Sequence, residues 1–171
     1  MNPEEFKIKV LPLKHKLFRV ALRMLGRVEE AEDSVQDALI KLWTKRDDLE
    51  KYTSVEAFAM TITKNLCLDR IRSKGFEMQR ITEREKIVSK EDPGELMEKS
   101  DYTGFIKKII DNLPDQQKVI MQMRDIEELE YEQIAEVMEL NVNAVRVNLS
   151  RARKKVRDTI SKIQGYELAR N

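Results

Sequence analysis

The sequence predicts an all-α protein: two small helical domains joined by a flexible linker, the second of them a helix-turn-helix. Three observations carry that expectation. Charged residues make up 37% of the 171 positions, aromatics only 6%, with five glycines and four prolines, a composition that suits helices. Apolar residues recur at intervals of three and four, and no convincing alternating strand pattern or internal repeat is present. Between two such periodic blocks lies a mostly polar stretch, residues 77–100, holding the breaker pair Pro93-Gly94. The expected division is residues 1–75, a linker at 76–100, residues 101–165 and a tail at 166–171.

The first half is expected to hold three main helices. The first runs from about Pro3 to Leu25, is bent or interrupted at Pro12, and stops at Gly26. The second runs from about Val28 to Lys45. Ala31, Val35, Ala38 and Leu42 line one of its faces, and Asp33, Gln36, Asp37 and Ile40 lie opposite. An acidic face with an isoleucine at its centre has the character of a protein-docking surface.

The third helix follows Thr53, which with Glu56 suggests a capping box, and continues to about Lys74. Its expected buried stripe is Val55, Phe58, Ala59, Ile62 and Leu66. The same geometry puts Asp69 on the buried side, where a carboxylate needs a partner such as Arg72. Lys64 and Asn65 fall nearer the edge, available to a ligand, and the helix ends in the basic group Arg70, Arg72 and Lys74. The preceding loop, 46–53, offers Asp47, Asp48, Tyr52 and Thr53 as polar groups able to read an unstacked base.

Residues 130–157 read as a short helix, a tight turn and a second helix rich in Arg and Lys. Gln133, Ile134 and Ala135 give the first helix a packing face. Val145, Leu149, Ala152 and Val156 make one buried stripe on the second. At about 100° per residue, Val147, Ser150 and Lys154 lie opposite that stripe, flanked by Arg146, Arg151 and Arg157. Cations late in a helix also favour its dipole and a solvated surface, but here the charge begins in the first turn at Arg146, where the dipole opposes it. Asn143 is the expected N-cap. A basic, outward-facing helix after a helix and turn is suited to the major groove of DNA.

Net charge is only +1, but it is segregated: residues 27–37 are acidic and 146–157 strongly basic, so local fields choose the partners. Cys67 has no second cysteine with which to pair, and His15, between two lysines, has no second ligand nearby. No nucleotide-binding glycine loop, nucleophile elbow or metal-ligand spacing appears, so no cofactor and no enzyme activity are expected. No apolar run is long enough to span a bilayer and the N-terminus is unlike a signal peptide, so the expected location is cytoplasmic, with no membrane insertion.

AEDSVQDALIKLW followed by FAMTITKNLCLDRIRSK resembles region 2 of bacterial sigma factors, and residues 112–157 resemble their region 4. Order and linker resemble the extracytoplasmic-function group. The resemblance implies a subunit that binds core RNA polymerase, recognises the minus-35 and minus-10 promoter elements and promotes DNA opening. It places Asp33, Gln36, Asp37 and Ile40 against the clamp helices of the beta-prime subunit, and region 4 against the beta flap. It places Asn65 at a base-contacting position of the minus-10 element, within a loop and helix that include Lys64, Arg70, Arg72 and Lys74. Arg146, Val147, Ser150 and Arg151 match groove-facing residues for the minus-35 element, with Arg153 and Lys154 closer to phosphate. It also implies an anti-sigma factor as a partner.

Three positions depart from the family pattern. Ala144 and Val147 stand where threonine and serine are common, removing hydroxyls at the DNA end of the helix, so the promoter sequence does not carry over from relatives. Glu130, where Ser or Thr is frequent, is a weaker cap for the first helix of the motif. Two rival readings are an ordinary helix-turn-helix regulator acting on palindromic operators, and a helical adaptor with no DNA role. The acidic second helix and the basic 64–74 segment argue against the first, and Arg146–Arg157 against the second.

Overall fold

In the computed structural model, described for residues 1–73 and 102–170, every regular element is helical. The expected linker falls outside the described residues, as does Lys74. The first unit comprises α1 (Pro3–Lys9), a 3-10 turn (Leu11–Leu13), α2 (Lys14–Leu25), α3 (Val28–Thr44), a second 3-10 turn (Arg46–Lys51) and α4 (Val55–Arg72). The second comprises α5 (Tyr102–Asp111), α6 (Asp115–Met121), a π-helical turn (Gln122–Ile126), α7 (Tyr131–Met138) and α8 (Val142–Arg170).

Local chemistry explains most boundaries in the first unit. Asn2 accepts from the Glu5 amide at 2.9 Å while Glu5 accepts from the Asn2 amide at 3.0 Å, and Pro3 fills the first helical position. Pro12 breaks the helix as expected, leaving α1 and α2 separated by the 3-10 turn. Gly26 closes α2 at φ 74°, a left-handed conformation that costs a side-chain-bearing residue about 1 kcal/mol. Its amide reaches Leu22 O at 2.8 Å.

The start of α4 differs from the sequence expectation. Ser54, not Thr53, is the N-cap, accepting from the Ala57 amide at 3.1 Å. Glu56 is drawn away to Lys16 Nζ at 2.8 Å, so no Thr53–Glu56 box forms.

Helices α2, α3 and α4 pack on one another. Ala31, Val35, Ala38 and Leu42 are buried as expected, and Ala31, Val35 and Leu42 share one core with Leu17, Val20, Ala21 and Leu25 of α2 and Met60 and Cys67 of α4. Each fully buried Leu or Met contributes roughly 1.5–3 kcal/mol. The expected stripe of α4 is displaced. Ala57, Ala59, Met60, Thr63, Lys64 and Cys67 are buried, whereas Val55, Phe58, Ile62 and Leu66 are only partly so. The reason is that α4 is covered twice, by α2 and α3 on one side and by α7 of the second unit on another. Asp69 is consequently exposed and needs no Arg72 partner, correcting that expectation.

In the second unit α8 packs across α5, α6 and α7, inserting Val145, Leu149, Ala152 and Val156. Glu130 is the N-cap of α7, and its amide donates to Gln133 Oε1 at 2.9 Å, so the partner three residues on compensates for the weak cap. The motif turns at Glu139 (φ 55°), where Leu140 N reaches Ala135 O at 3.0 Å. The cap of α8 is Asn141, accepting from the Ala144 amide at 2.7 Å; Asn143 is exposed inside the helix, a correction by one half-turn.

Candidate nucleic-acid interface

The outward face of α8 is as the periodicity places it. Arg146, Val147, Ser150, Arg151, Lys154 and Arg157 are exposed on the side opposite the buried stripe. Arg153 is half-buried and donates through two nitrogens to both oxygens of Asp125 in the π-helical turn. That hydrogen-bonded carboxylate raises the Arg153 pKa further above its ordinary value. A phosphate would therefore have to displace a bidentate partner at Arg153, but meets Lys154 directly.

Tyr131 is a contributor the sequence reading missed. Its ring lies 4.7 Å from the Arg124 guanidinium and 5.2 Å from that of Arg146, at the mouth of the motif. No periodicity signals this arrangement, because Arg124, Tyr131 and Arg146 come from three different elements. Asn148 donates to Ala144 O at 2.8 Å, tying down an amide that could otherwise have faced a ligand.

The end of α4 is more divided. Asn65 and Arg72 are exposed. Lys64 is not at an edge: it is 6% exposed and its ammonium donates to Val137 O of α7 at 2.5 Å. Burial pushes its pKa down, so the carbonyl contact matters to a charge held away from water. Arg70 donates to Glu30 at 2.6 Å and to Asp37 at 3.3 Å. Burial opposes its charge, yet the two carboxylates hold its pKa above the ordinary value. Arg70 thus ties α4 to the acidic helix α3.

Ahead of α4, Tyr52 stacks on Phe58 with ring centroids 3.9 Å apart, and Lys45 Nζ stands 5.8 Å from the Phe58 centroid. Tyr52 and Thr53 are exposed beside this stack, giving an aromatic and polar platform at the mouth of the 46–53 loop.

On α3, Asp33, Gln36, Asp37 and Ile40 are all exposed, with Ile40 at 63%. Trp43, one turn further, is also exposed and extends the apolar part of the face; Arg46 covers its ring at 4.4 Å and Phe6 meets it edge-on at 5.1 Å. Asp37 is shared with Arg70, whereas Asp33 and Gln36 stand clear of that pair. Cys67 is buried, and burial pushes its thiol up to about 12, so it has no nucleophilic character near neutral pH. Among the described residues no helix is long and apolar enough to cross a membrane.

A helix-turn-helix with a basic outer face, joined in one chain to a helical unit bearing an acidic and apolar face, defines a two-part helical DNA-binding protein. Comparison with known proteins narrows the class. Residues 10–77 match the family Sigma-70 region 2, and residues 106–156 match Sigma-70, region 4. The chain belongs to the sigma factors, in the extracytoplasmic-function group.

It is similar to the ECF RNA polymerase sigma factor SigE of Mycolicibacterium smegmatis, 29% identical over 150 residues, covering 86% of this chain and 58% of that protein. It is also similar to the ECF RNA polymerase sigma factor SigW of Bacillus subtilis, 27% identical over 154 residues, covering 84% of this chain and 82% of that one. In fold it resembles the sigma factor RpoE of Bartonella quintana, solved in complex with the anti-sigma factor NepR. There the TM-score is 0.67 at 22% identity, covering 92% of this chain and 98% of that one.

Proposed function

We propose that this chain joins core RNA polymerase as its promoter-recognition subunit, reads a minus-35 element as duplex through α8, and reads and helps open a minus-10 element through α4 and the loop before it. The observation that carries the reading is the outer face of α8, where four cations stand exposed opposite a fully packed apolar stripe. Arginine forks suit guanine edges in the major groove, and Lys154 suits phosphate. Arg146, Val147, Ser150 and Arg151 would face the bases.

Single-strand reading falls to Asn65, with the Tyr52–Phe58 stack beside the entry and Arg72 toward the backbone. Arg70 would act through the α3–α4 contact, and Lys64 through its hold on α7. Lys74 lies outside the described residues and keeps only its sequence-based place in the basic group. The face Asp33, Gln36, Asp37 and Ile40, extended by Trp43, would dock on the beta-prime clamp helices, and the second unit on the beta flap. Melting a few base pairs costs several kcal/mol, and attachment at two points together with polymerase supplies more than either unit alone.

An anti-sigma factor is a fitting regulator, in keeping with the complex in which the Bartonella quintana relative was solved. Activity as an initiation factor, without a catalytic centre of its own, and a cytoplasmic location belong to the same reading. The test is reconstitution: purified chain and core polymerase on a library of bacterial promoter fragments. Initiation from a discrete set of start sites supports the reading. Tight binding to palindromic duplexes without polymerase, and no initiation with it, would replace it with an ordinary regulator.

A further inference from the structure

Where α2 and α4 meet α6 and the end of α7 lies a cavity of about 360 Å³, within the range of small-molecule sites, roughly 300–1,000 Å³. Helical spacing builds its walls. Lys64, Leu68 and Ile71 stand four and three residues apart, so α4 turns all three toward it. Asp115, Lys118 and Val119, at intervals of three and four from Asp115, do the same on α6. Met24 of α2 and Met138 of α7 complete the lining. Met24, Leu68, Ile71, Val119 and Met138 thus surround one space with apolar side chains, and the flexible thioethers of the two methionines suit an irregular occupant.

Charge is arranged across this space, not spread evenly around it. The carboxylate residues Asp115 and Glu139 are exposed, whereas Lys64 and Lys118 are only 6% and 2% exposed, so the inner wall is the positive one. Asp115 stands 3.5 Å from the Lys118 ammonium. Lys64 is placed differently. Among the described residues it forms no ion pair, and its ammonium donates to the main-chain carbonyl of Val137. Glu139 acts on it only through space. An ammonium carries three N–H donors, so one carbonyl leaves donor capacity on a cation whose charge burial disfavours. An anion at that point would supply what the fold does not.

We propose that this cavity is a binding site for a small anionic amphiphile, a single unbranched acyl chain held among Met24, Leu68, Ile71, Val119 and Met138 with its carboxylate on the Lys64 ammonium. The carboxylate accepts a charge-assisted bond from Lys64 and lies in the positive potential that Lys118 adds to the inner wall. The chain is held by burial, so affinity climbs with each methylene until the cavity is full. A neutral chain lacks the contact to Lys64, and a head without a chain lacks the burial. The lining includes no residue of the outer face of α8 or of the acidic face of α3. The site is a property of the folded chain and does not rest on the function proposed above.

The experiment is calorimetric titration of the full chain with hexanoate, octanoate, decanoate and dodecanoate, each below its micelle-forming concentration. Octanol and acetate are the controls for the head and the chain, and circular dichroism reads helix content throughout. The expected result is saturable binding of one acid per chain, tightening about fourfold with each added methylene up to a limit. Octanol and acetate should bind at least about tenfold more weakly than octanoate. Lys64→Met keeps an unbranched stem and removes the charge; it should weaken octanoate at least about tenfold and leave octanol unchanged. Leu68→Trp fills the space from the α4 wall and should move the preferred acid to a shorter chain.

Absence of saturable binding by the wild type overturns the site. So does octanol binding as tightly as octanoate, or an affinity indifferent to chain length. Lys64→Met with full helicity and wild-type affinity for octanoate removes the head contact, and the proposal with it. Should Lys64→Met lose helicity, Leu68→Trp decides: a shorter preferred chain supports the cavity, and an unchanged order of acids overturns it.

Discussion

The guanidinium of Arg146, in the first turn of α8, lies 5.2 Å from the centre of the ring of Tyr131, the first residue of α7. The contact spans the turn of the motif and restrains an arginine that would otherwise sweep freely through solvent. Such a cation–ring contact is worth about 0.5–1 kcal/mol at an exposed site. Its use here is orientation: a guanidinium already placed has less freedom to lose on meeting a base.

Arg146→Ala is therefore expected to lose about 1–3 kcal/mol at one base pair of the minus-35 element and to tolerate substitutions there. Tyr131→Leu should keep the fold and relax the same position by a smaller amount. Binding-site selection within the polymerase complex measures both. If Arg146→Ala and Arg151→Ala each retain the wild-type preference at every minus-35 position, α8 does not read bases through these arginines.

Lys154 and Arg153 are neighbours in sequence but not in circumstance. Lys154→Ala should weaken binding alike on all sequences and flatten the salt dependence by about one counterion. Arg153→Ala should change the slope less, because Asp125 already occupies its guanidinium. Equal slopes for the two variants would mean that DNA displaces Asp125.

Asp33→Lys with Gln36→Lys reverses the exposed face of α3 while leaving Ala31, Val35, Ala38 and Leu42 in place. The expected outcome is a protein of unchanged helicity and melting temperature that no longer co-purifies with core polymerase. Undiminished co-purification would move the docking surface elsewhere.

Asn65→Ala removes an exposed amide from α4 and no packing. Recruitment to the promoter should persist while strand opening falls, read as reduced permanganate reactivity of melted thymines. Reactivity equal to wild type would leave Asn65 without a part in opening.

Several features were legible because they depend on residues close together in the chain. The interruption at Pro12, the stop at Gly26, the buried stripe of α3 and the stripe of α8 all follow from helical spacing and from local backbone chemistry. Even the outward direction of Arg146, Val147, Ser150, Arg151 and Lys154 needed only a helix with one apolar side. Where capping residues compete, the sequence was ambiguous: Asn141 and Asn143 are equally good caps by type, and the register of the turn at Glu139 selects Asn141.

Tertiary structure decided which charged side chains remain available. Lys64, Arg70 and Arg153 all read as ligand-facing cations, yet a carbonyl of α7, two carboxylates of α3 and Asp125 claim them. Asp69, read as buried, is exposed because α4 is packed from two directions, one of them by a helix more than fifty residues further along. The Arg19–Glu127 clasp joins residues 108 apart in sequence. Helical periodicity reports one buried face at a time and carries no information about which distant charge will meet it. The sequence by itself settled the main helices of the first unit, the helix-turn-helix and the basic face of α8, while the partners of the individual charges were settled only when the two units came together, since each such pair balances desolvation against a contact that exists only in the folded chain.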